Sequence, residues 1–301
     1  MKLVDRFCPL CGSNTSGQIL VKQHIHADDL GKYAFSSQKI PEFMHYQMVV
    51  CPNCDLAYAN PVPDIQWIQD EYVSAAFDAD EESQFGANDK AKVLHRILPN
   101  LPDRNRALDV GTGNGAFLLK LQEAGFDEVF GVEPSPEPIR QAQDSIRPLI
   151  ERNFFDGNNY EPATYSLITC FGVLEHVYDI KALTQSVFRM LKPGGVFLTS
   201  THDYRCFSAK VLGHRSPIFD IEHLQLFSRY SLSELYKRCE FSNIHIHPMS
   251  NNYPIWYWLK IAPLNPRIKK WIGSTIKVSR TAKVSIRLSA GNMWALGYRL
   301  T

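Results

Sequence analysis

The feature that most constrains the fold is an alternation of short apolar segments with amphipathic segments, which begins near residue 105. The apolar segments include RALDVG (106–111), EVFGVEP (128–134), SLITCFGV (166–173) and GVFLTST (195–201). Helical patterns such as AFLLKLQEAG and KALTQSVFRML lie between them. This order is typical of βαβ units. The sequence therefore predicts an α/β fold built on an open, mostly parallel sheet.

Two pairs of cysteines precede this region. CPLC at 8–11 and CPNC at 51–54 share one spacing, and the other three of the seven cysteines are isolated. In a reducing compartment we do not expect a disulfide framework, whereas two such turns can complete the tetrahedral four-thiolate site that structural zinc prefers. Reduced cysteines without a metal are the alternative. We predict a zinc-ribbon-like module with structural Zn²⁺ held by Cys8, Cys11, Cys51 and Cys54.

The loop LDVGTGNGA (108–116) stands where the first apolar segment passes into a helix. Its three glycines let the backbone approach a ligand at a helix N-terminus. The loop also satisfies the dinucleotide fingerprint if Ala116 takes the last place, with Glu133 near the position of a ribose-binding acid. The loop alone therefore leaves a dinucleotide and another adenosyl ligand as alternatives.

Neighbouring residues favour S-adenosylmethionine (SAM) over a dinucleotide. The carboxylate of Asp109 would reach an amino group of the ligand and would repel a pyrophosphate. Glu133 is suitably placed to accept hydrogen bonds from both ribose hydroxyls. Together with CFGVLEHVYD (170–179) and LKPGG (191–195), these motifs resemble the class I SAM-dependent methyltransferases over about residues 90–245.

This resemblance implies a Rossmann-like, seven-stranded, mostly parallel sheet with helices on both faces, and it implies roles for matching residues. The glycine loop matches the methionine-binding loop, and Glu133 matches the ribose acid. Members often place an acidic residue against the adenine amino group, and here Asn153 and Phe154 stand at that place. The implied cofactor-binding residues are Asp109, Gly111, Thr112, Gly113, Gly115, Glu133, Pro134, Ser135, Asn153, Phe154, Phe171 and Gly172.

A cysteine module in front of such a core, followed by HLQLFSRYSLSEL (223–235), also resembles bacterial methyltransferases of sugar and polysaccharide modification. Some of these are C-methyltransferases of nucleotide sugars. The resemblance implies methyl transfer to a small-molecule acceptor, such as a sugar, a nucleotide sugar or a related phosphorylated intermediate, with the zinc module beside the acceptor. The alternatives are an RNA methyltransferase with a zinc-ribbon recognition module and a non-catalytic SAM-binding or scaffold protein.

An oxygen or carbon acceptor needs a base, and candidates follow the strand ends where open α/β sheets bind ligands. His176 is the first candidate because histidine titrates near neutral pH, although a backbone contact at a helix start is an equal alternative. Glu175 is considered as a ligand of a divalent ion. The remaining candidates for binding or deprotonating the acceptor are His202, Tyr204 and His223.

These observations divide the chain of 301 residues into five parts. We expect the zinc module at 1–60, a helical linker or lid at 61–100, the SAM-binding core at 101–250, an aromatic and basic insertion at 251–285, and a C-terminal edge strand at 286–301.

The net charge of +1 is distributed unevenly along the chain. Nine basic residues and no acidic ones follow Glu240, which leaves 23 basic and 31 acidic residues in 1–240. The acidic composition of residues 1–240 makes nucleic acid an unexpected partner. The basic segment after Glu240 suits a solvated face or peripheral contact with an anionic membrane. A signal-peptide pattern and a run of about 18 apolar residues are both missing. We expect a soluble, cytoplasmic protein, and the oligomeric state is not predicted.

Overall fold

The computed structural model describes residues 2–15, 17–25, 44–74, 80–262 and 284–300. The strands are β1 (Leu3–Val4), β2 (Gln18–Val21), β3 (Met48–Val50), β4 (Ala57–Ala59), β5 (Val62–Pro63), β6 (Arg106–Val110), β7 (Glu128–Val132), β8 (Ile150–Glu151), β9 (Tyr165–Phe171), β10 (Leu191–His202), β11 (Gln225–Leu226), β12 (Ser242–Pro248), β13 (Asn251–Pro254), β14 (Ser285–Leu288) and β15 (Asn292–Tyr298). The α-helices are α1 (Ile65–Ser74), α2 (Asp80–Ile97), α3 (Ala116–Glu123), α4 (Pro136–Gln141), α5 (Ile180–Met190), α6 (Phe207–Leu212), α7 (Arg229–Arg238) and α8 (Ile255–Ile261).

The central sheet has seven strands in the order β12-β15-β10-β9-β6-β7-β8. The run from β10 to β8 is parallel, and β15 is antiparallel to both of its neighbours. The predicted α/β fold with a mostly parallel, Rossmann-like sheet is confirmed.

Helices cover both faces of this sheet because its central strands are apolar at successive positions. In β9, Leu167 packs in the cluster formed with α2 and α3, whereas the next residue, Ile168, packs in the cluster formed with α5 and α7. Successive side chains of a strand point to opposite faces, so an uninterrupted apolar run predicts a strand buried on both sides.

The last strand does not lie at the edge of the sheet, contrary to the prediction for 286–301. β15 pairs with β10 along one side and with β12 along the other. Its buried residues, such as Met293 and Ala295, fill a position between two strands. β12 forms the edge instead, and Pro248 at its end lacks the N–H that an inner strand would need.

The cysteine-containing segment builds a second sheet with the order β11-β4-β3-β2. Its strand β11 comes from residues 225–226, far along the chain, and pairs with β4. β1 also pairs with β5, which lies just after the expected boundary at residue 60. The N-terminal segment is therefore joined to the core by backbone pairing.

The expected insertion at 251–285 begins with β13, which pairs with β14, and with the helix α8. It packs against α2, where Asp89 Oδ2 accepts the Asn252 N–H at 2.7 Å. Residues 263–283 lie outside the described residues, and most of the basic segment considered for membrane contact falls there. Within the described ranges, none of the helices combines the length and apolarity needed to cross a membrane.

Candidate active site

Four thiols converge in the N-terminal segment. The Sγ atoms of Cys8, Cys11, Cys51 and Cys54 all lie within 4.8 Å of one another. The Cys8–Cys54 and Cys11–Cys51 Sγ distances are both 3.5 Å. A tetrahedral zinc with Zn–S bonds of about 2.3 Å requires S···S separations of about 3.8 Å. The cluster therefore fits the predicted four-thiolate site with little adjustment.

Two matching turns present these thiols. The Gly12 N–H donates to the Cys8 carbonyl at 2.8 Å, and the Asp55 N–H donates to the Cys51 carbonyl at 3.0 Å. Both donors follow the second cysteine of their pair and have a positive φ, +72° at Gly12 and 59° at Asp55. The second turn carries an aspartate at a position that favours glycine. Its carboxylate is paired with Arg205, which anchors this turn.

The main cavity, of about 490 Å³, lies at the carboxyl ends of β6, β7 and β9. Open parallel sheets bind ligands at this edge. Nine of the predicted cofactor-binding residues line the cavity: Gly111, Gly113, Glu133, Pro134, Ser135, Asn153, Phe154, Phe171 and Gly172. Asp109, Thr112 and Gly115 support the loop from behind.

Glu133 is the anchored acid of this cavity. Its Oε2 accepts the Gly113 N–H at 3.0 Å, and its Oε1 accepts the Ser135 N–H at 2.9 Å. Burial raises the pKa of the Glu133 carboxyl, although these backbone donors oppose the shift. Each oxygen keeps a second lone pair, so a fixed carboxylate faces the cavity with capacity for two further donors. Paired ribose hydroxyls supply such donors.

The glycine loop requires glycine for different reasons at different positions. Gly113 has φ +58° and open space where a Cβ would stand, so a ligand can approach its backbone. At Gly115, with φ +72°, a Cβ would lie 2.4 Å from Ile146 Cγ2. Thr112 packs its side chain against Gly131 of β7. The loop is thus open towards the cavity and tightly packed behind it.

Asp109 lies behind the cavity wall. It is 3% exposed, and its Oδ1 accepts the Thr169 hydroxyl at 2.6 Å. Burial raises the pKa of this carboxyl. The sequence predicted a direct or water-mediated contact with a ligand amino group. In the structure, the hydrogen bond to Thr169 ties β6 to β9 beneath the ligand site.

The far end of the cavity is formed by the segment after β8. Asn153 and Phe154 line it, as predicted, and so do Phe155 and Asp156. Asp156 Oδ1 accepts the Asn158 backbone and side-chain N–H groups, both at 3.0 Å, and so holds the loop in shape. The resemblance to the methyltransferases pointed to Asn153 and Phe154, but it gave no sign that Phe155 and Asp156 also form the wall.

A tyrosine, a histidine and a glutamate also line the cavity. The Tyr72 hydroxyl lies 2.6 Å from His176 Nδ1, which also lies 3.2 Å from the Glu222 carbonyl oxygen and 3.6 Å from Glu222 Oε2. A carbonyl oxygen only accepts, so this contact favours a proton on Nδ1 and leaves Nε2 able to accept one. The Glu222 carboxylate stabilises the imidazolium that would result.

His223, His202 and Glu175 continue this group into the interior. The His223 ring centroid lies 5.0 Å from that of His176 and 5.3 Å from that of His202. Burial lowers the pKa of His202. Glu175 is fully buried, and its Oε1 accepts the His202 N–H at 3.0 Å. Among the described residues Glu175 Oε2 has no hydrogen-bond partner, and the carboxylate lies behind the cavity wall.

Tyr204 occupies a different place from the one predicted. Its hydroxyl donates to Asp55 Oδ1 at 2.9 Å and lies 3.1 Å from the Asp55 carbonyl oxygen. These contacts hold the second cysteine turn, away from the main cavity. Tyr204 was predicted to bind or deprotonate the acceptor, whereas in the structure its hydroxyl contacts the N-terminal segment.

The N-terminal segment contacts the loop that carries His176 through two side chains. The Arg6 guanidinium donates from Nη2 to the Leu224 carbonyl at 2.6 Å and to Gln225 Oε1 at 3.1 Å. Gln225 Nε2 in turn donates to the carbonyls of Leu174 and Val177, at 2.5 and 2.8 Å. Those carbonyls flank His176 in sequence. The cysteine segment therefore supports the position of this loop.

Tyr72 and Glu222 are the site residues that sequence reasoning missed. Tyr72 belongs to α1, within the segment 61–100 that the sequence predicted as a helical linker or lid. Asp64 Oδ1 accepts the Trp67 N–H at 3.1 Å at the start of this helix. Glu222 directly precedes the predicted His223. The helical pattern gave no sign of which face of α1 meets His176, because that contact joins residues 104 positions apart.

The parallel sheet, the glycine loop and the anchored acid at the end of β7 define a SAM-dependent methyltransferase. The chain belongs to the methyltransferase domain family, whose sequence profile matches residues 83–246, just over half of its length.

The comparisons include two bacterial relatives, both ubiquinone biosynthesis O-methyltransferases. The one from Aliivibrio fischeri is 24% identical over 200 residues, covering 54% of this chain and 82% of the relative. The one from Pectobacterium carotovorum is 26% identical over 172 residues, covering 51% and 70%. A solved chain from the complex between the Trm112 methyltransferase activator and a methyltransferase of Haloferax volcanii has a TM-score of 0.50 at 16% identity, covering 74% and 96%. That likeness shows the fold.

Proposed function

We propose that this methyltransferase transfers the SAM methyl group to a small-molecule acceptor, such as a sugar, a nucleotide sugar or a related biosynthetic intermediate. The observation that carries the proposal is the shared cavity, which both Glu133 and the Tyr72–His176–Glu222 group line. A cavity of about 490 Å³ suits an adenosyl ligand with a compact acceptor. The relatives named for ubiquinone biosynthesis also suit a small acceptor, without indicating which one.

For methyl transfer, the protein has chiefly to align the methyl donor with the acceptor and to remove one proton from the acceptor. SAM supplies a methyl group on a sulfonium leaving group. Gly113 and Glu133 would hold the adenosyl part, and the residues after β8 would enclose the adenine. His176 Nε2 would accept the acceptor's proton, with Tyr72 orienting the ring and Glu222 stabilising the charge that forms.

We also propose that the four cysteines hold a structural zinc ion. Closed four-thiolate shells leave no open coordination position, so such an ion would stabilise the N-terminal segment and take no part in methyl transfer. Through Arg6 and Gln225, the segment would act as a rigid support for the His176 loop. We further propose the domain division expected from the sequence. Two strands pair with a strand of a different part of this division: β11 pairs with β4, and β15 pairs with β10.

Incubation of the purified enzyme with deuterated-methyl SAM and a cell metabolite extract, followed by mass spectrometry, tests the acceptor class. We expect label in a small polar metabolite. A His176→Gln variant should lower its formation about 10²- to 10⁴-fold, whereas exchange of the exposed His95 for glutamine should not. Label found in RNA, with salt-dependent RNA affinity, would instead favour the RNA methyltransferase alternative. A folded protein that binds SAM but labels nothing would favour the scaffold alternative.

A further inference from the structure

The short helix α6 exposes its large apolar side chains. Phe207 is 82% exposed and Val211 is 65% exposed, whereas Ala209 is buried against the core. Residues four apart lie on one face of a helix, so Phe207 and Val211 are neighbours on the outer face. Lys210 is also exposed. The helix therefore presents a face to the surroundings that is both apolar and basic.

The strand β14 extends this exposed face. Ile286 is 39% exposed and Leu288 is 44% exposed, with Arg287 exposed between them. The Ser208 hydroxyl of α6 donates to the Ala290 carbonyl at 3.2 Å, in the turn that follows β14. The helix and the end of the strand are therefore neighbours. Together they form the α6–β14 surface, which consists of Phe207, Lys210, Val211, Ile286, Arg287 and Leu288.

Aromatic side chains of α8 adjoin this surface. The Trp258 indole N–H donates to the Ile286 carbonyl at 3.0 Å, which holds α8 against β14. Trp256, Tyr257 and Trp258 are all half-buried. Tryptophan and tyrosine combine an apolar body with a polar group, and they are enriched where lipid meets water. The surroundings of the α6–β14 surface therefore suit the boundary of a bilayer.

The two chain segments that build this region contain no acidic residues. Residues 204–219, which include α6, carry Arg205, Lys210 and Arg215 as their basic residues. After Glu240 all nine charged residues are basic, and eight of them lie within residues 260–287. The rest of the chain is acidic, so the excess of positive charge is confined to the segments that carry the exposed apolar side chains. This distribution favours an anionic partner.

We propose that the α6–β14 surface binds peripherally to a bilayer that contains anionic lipids. Such a bilayer would bury Phe207 and Val211 below the headgroups while the neighbouring cations meet the lipid charge. Nucleic acid would neutralise the cations but would leave the apolar side chains in water. Because β15 leads directly from this surface into the central sheet, a bound enzyme would hold its cavity at a fixed distance from the lipid. The proposal goes beyond methyl transfer and does not depend on the acceptor.

Flotation of the full chain with two kinds of vesicle tests this proposal. One kind contains phosphatidylcholine with about 30% phosphatidylglycerol, and the other contains phosphatidylcholine alone. We expect the wild type to float with the anionic vesicles only, and to float less as salt rises from about 0.1 to about 0.5 M. Phe207→Ser should weaken partitioning about 10-fold or more. Lys210→Gln should weaken it about fivefold.

Two matched controls change exposed residues elsewhere. Phe7→Ser removes an aromatic side chain of the cysteine segment that is 66% exposed, and Lys237→Gln removes a cation of α7 that is 58% exposed. Both should leave partitioning at the wild-type value. Thermal unfolding of each variant at the wild-type temperature shows that an altered partitioning does not come from loss of folding.

Four outcomes would overturn the proposal. The first is a wild type that does not float or that floats equally with both vesicles. The second is an equal loss in Phe7→Ser and Phe207→Ser, which would remove the assignment to this surface. The third is self-association that Phe207→Ser abolishes, without flotation, which would make a second copy the partner. The fourth is salt-dependent RNA binding without flotation, which would make nucleic acid the partner.

Discussion

The Tyr72 hydroxyl lies 2.6 Å from Nδ1 of His176, and the Tyr72 carbonyl accepts the Ser135 hydroxyl at 2.8 Å. One residue of α1 therefore contacts both His176 and the segment that follows Glu133. The two halves of the cavity are held in one arrangement by this residue. A small displacement of α1 would change the distance between the methyl donor and its acceptor, to which transfer rates are highly sensitive.

Removing the Tyr72 hydroxyl should impair turnover without impairing cofactor binding. We expect Tyr72→Phe to lower kcat about 10-fold or more and to leave the Kd for S-adenosylhomocysteine within about twofold, because the His176 ring loses an orienting partner. Steady-state kinetics and calorimetry measure the two effects. Tyr204→Phe is the matched control: it removes the bond to Asp55, costs about 0.5–1.5 kcal/mol of stability, and should preserve kcat. Equal kcat losses in both variants would contradict the role of Tyr72.

The Glu133 carboxylate should contribute strongly to cofactor affinity. Glu133→Gln keeps the size of the side chain but removes the charge, and its amide group can no longer accept at both oxygens. We expect a 10- to 100-fold weaker Kd for S-adenosylhomocysteine, since hydrogen bonds to charged groups contribute about 1.5–3 kcal/mol. Glu137→Gln changes an ion pair with Arg140 on the protein surface and should leave the Kd unchanged. An unaltered Kd in Glu133→Gln would argue against ribose binding at this residue.

Loss of one thiol from the cysteine cluster should remove the metal and destabilise the fold. We expect Cys51→Ser to lower the zinc content measured by elemental analysis from about one ion per chain to near zero. A loss of even about 3 kcal/mol would lower the unfolding temperature of a chain of 301 residues by about 5 °C. Cys239→Ala changes a buried thiol outside the cluster and should keep the metal. A wild-type protein without zinc, or a Cys51→Ser protein that retains it, would contradict the four-thiolate site.

The partly buried His202 should make stability depend on pH in a definite direction. Burial lowers its pKa below the ordinary value of 6.5, so the unfolded chain binds a proton that the folded state resists. The free energy of unfolding should therefore fall as the pH drops below about 6.5, by at most about 1.4 kcal/mol per pH unit from this group. Denaturant unfolding at several pH values should show a smaller fall for His202→Gln than for the wild type. Exchange of exposed His95 for glutamine should leave the decrease in the free energy of unfolding as large as in the wild type. An equally large decrease in His202→Gln would show that His202 does not contribute to it.

Much of the fold could be predicted because its signals are local. The apolar strands, the glycine loop and the acid at the end of the second strand each reflect backbone or burial requirements within a few residues. Glu133 lines the cavity together with the glycine loop, and both CxxC pairs meet in one cluster. The position of β15 could not be predicted in the same way, since a strand at the end of a chain can add to an edge or insert between two strands.

The sequence by itself determined the α/β sheet, the ligand loop and the paired cysteines, because period, turn geometry and residue spacing are properties of short segments. Only the tertiary structure decided that Tyr72 meets His176, that Tyr204 supports Asp55, and that Lys90 points towards Phe171. Those contacts join residues from 81 to 149 positions apart. They depend on how whole helices and strands pack against one another, and no local pattern of residues specifies that packing.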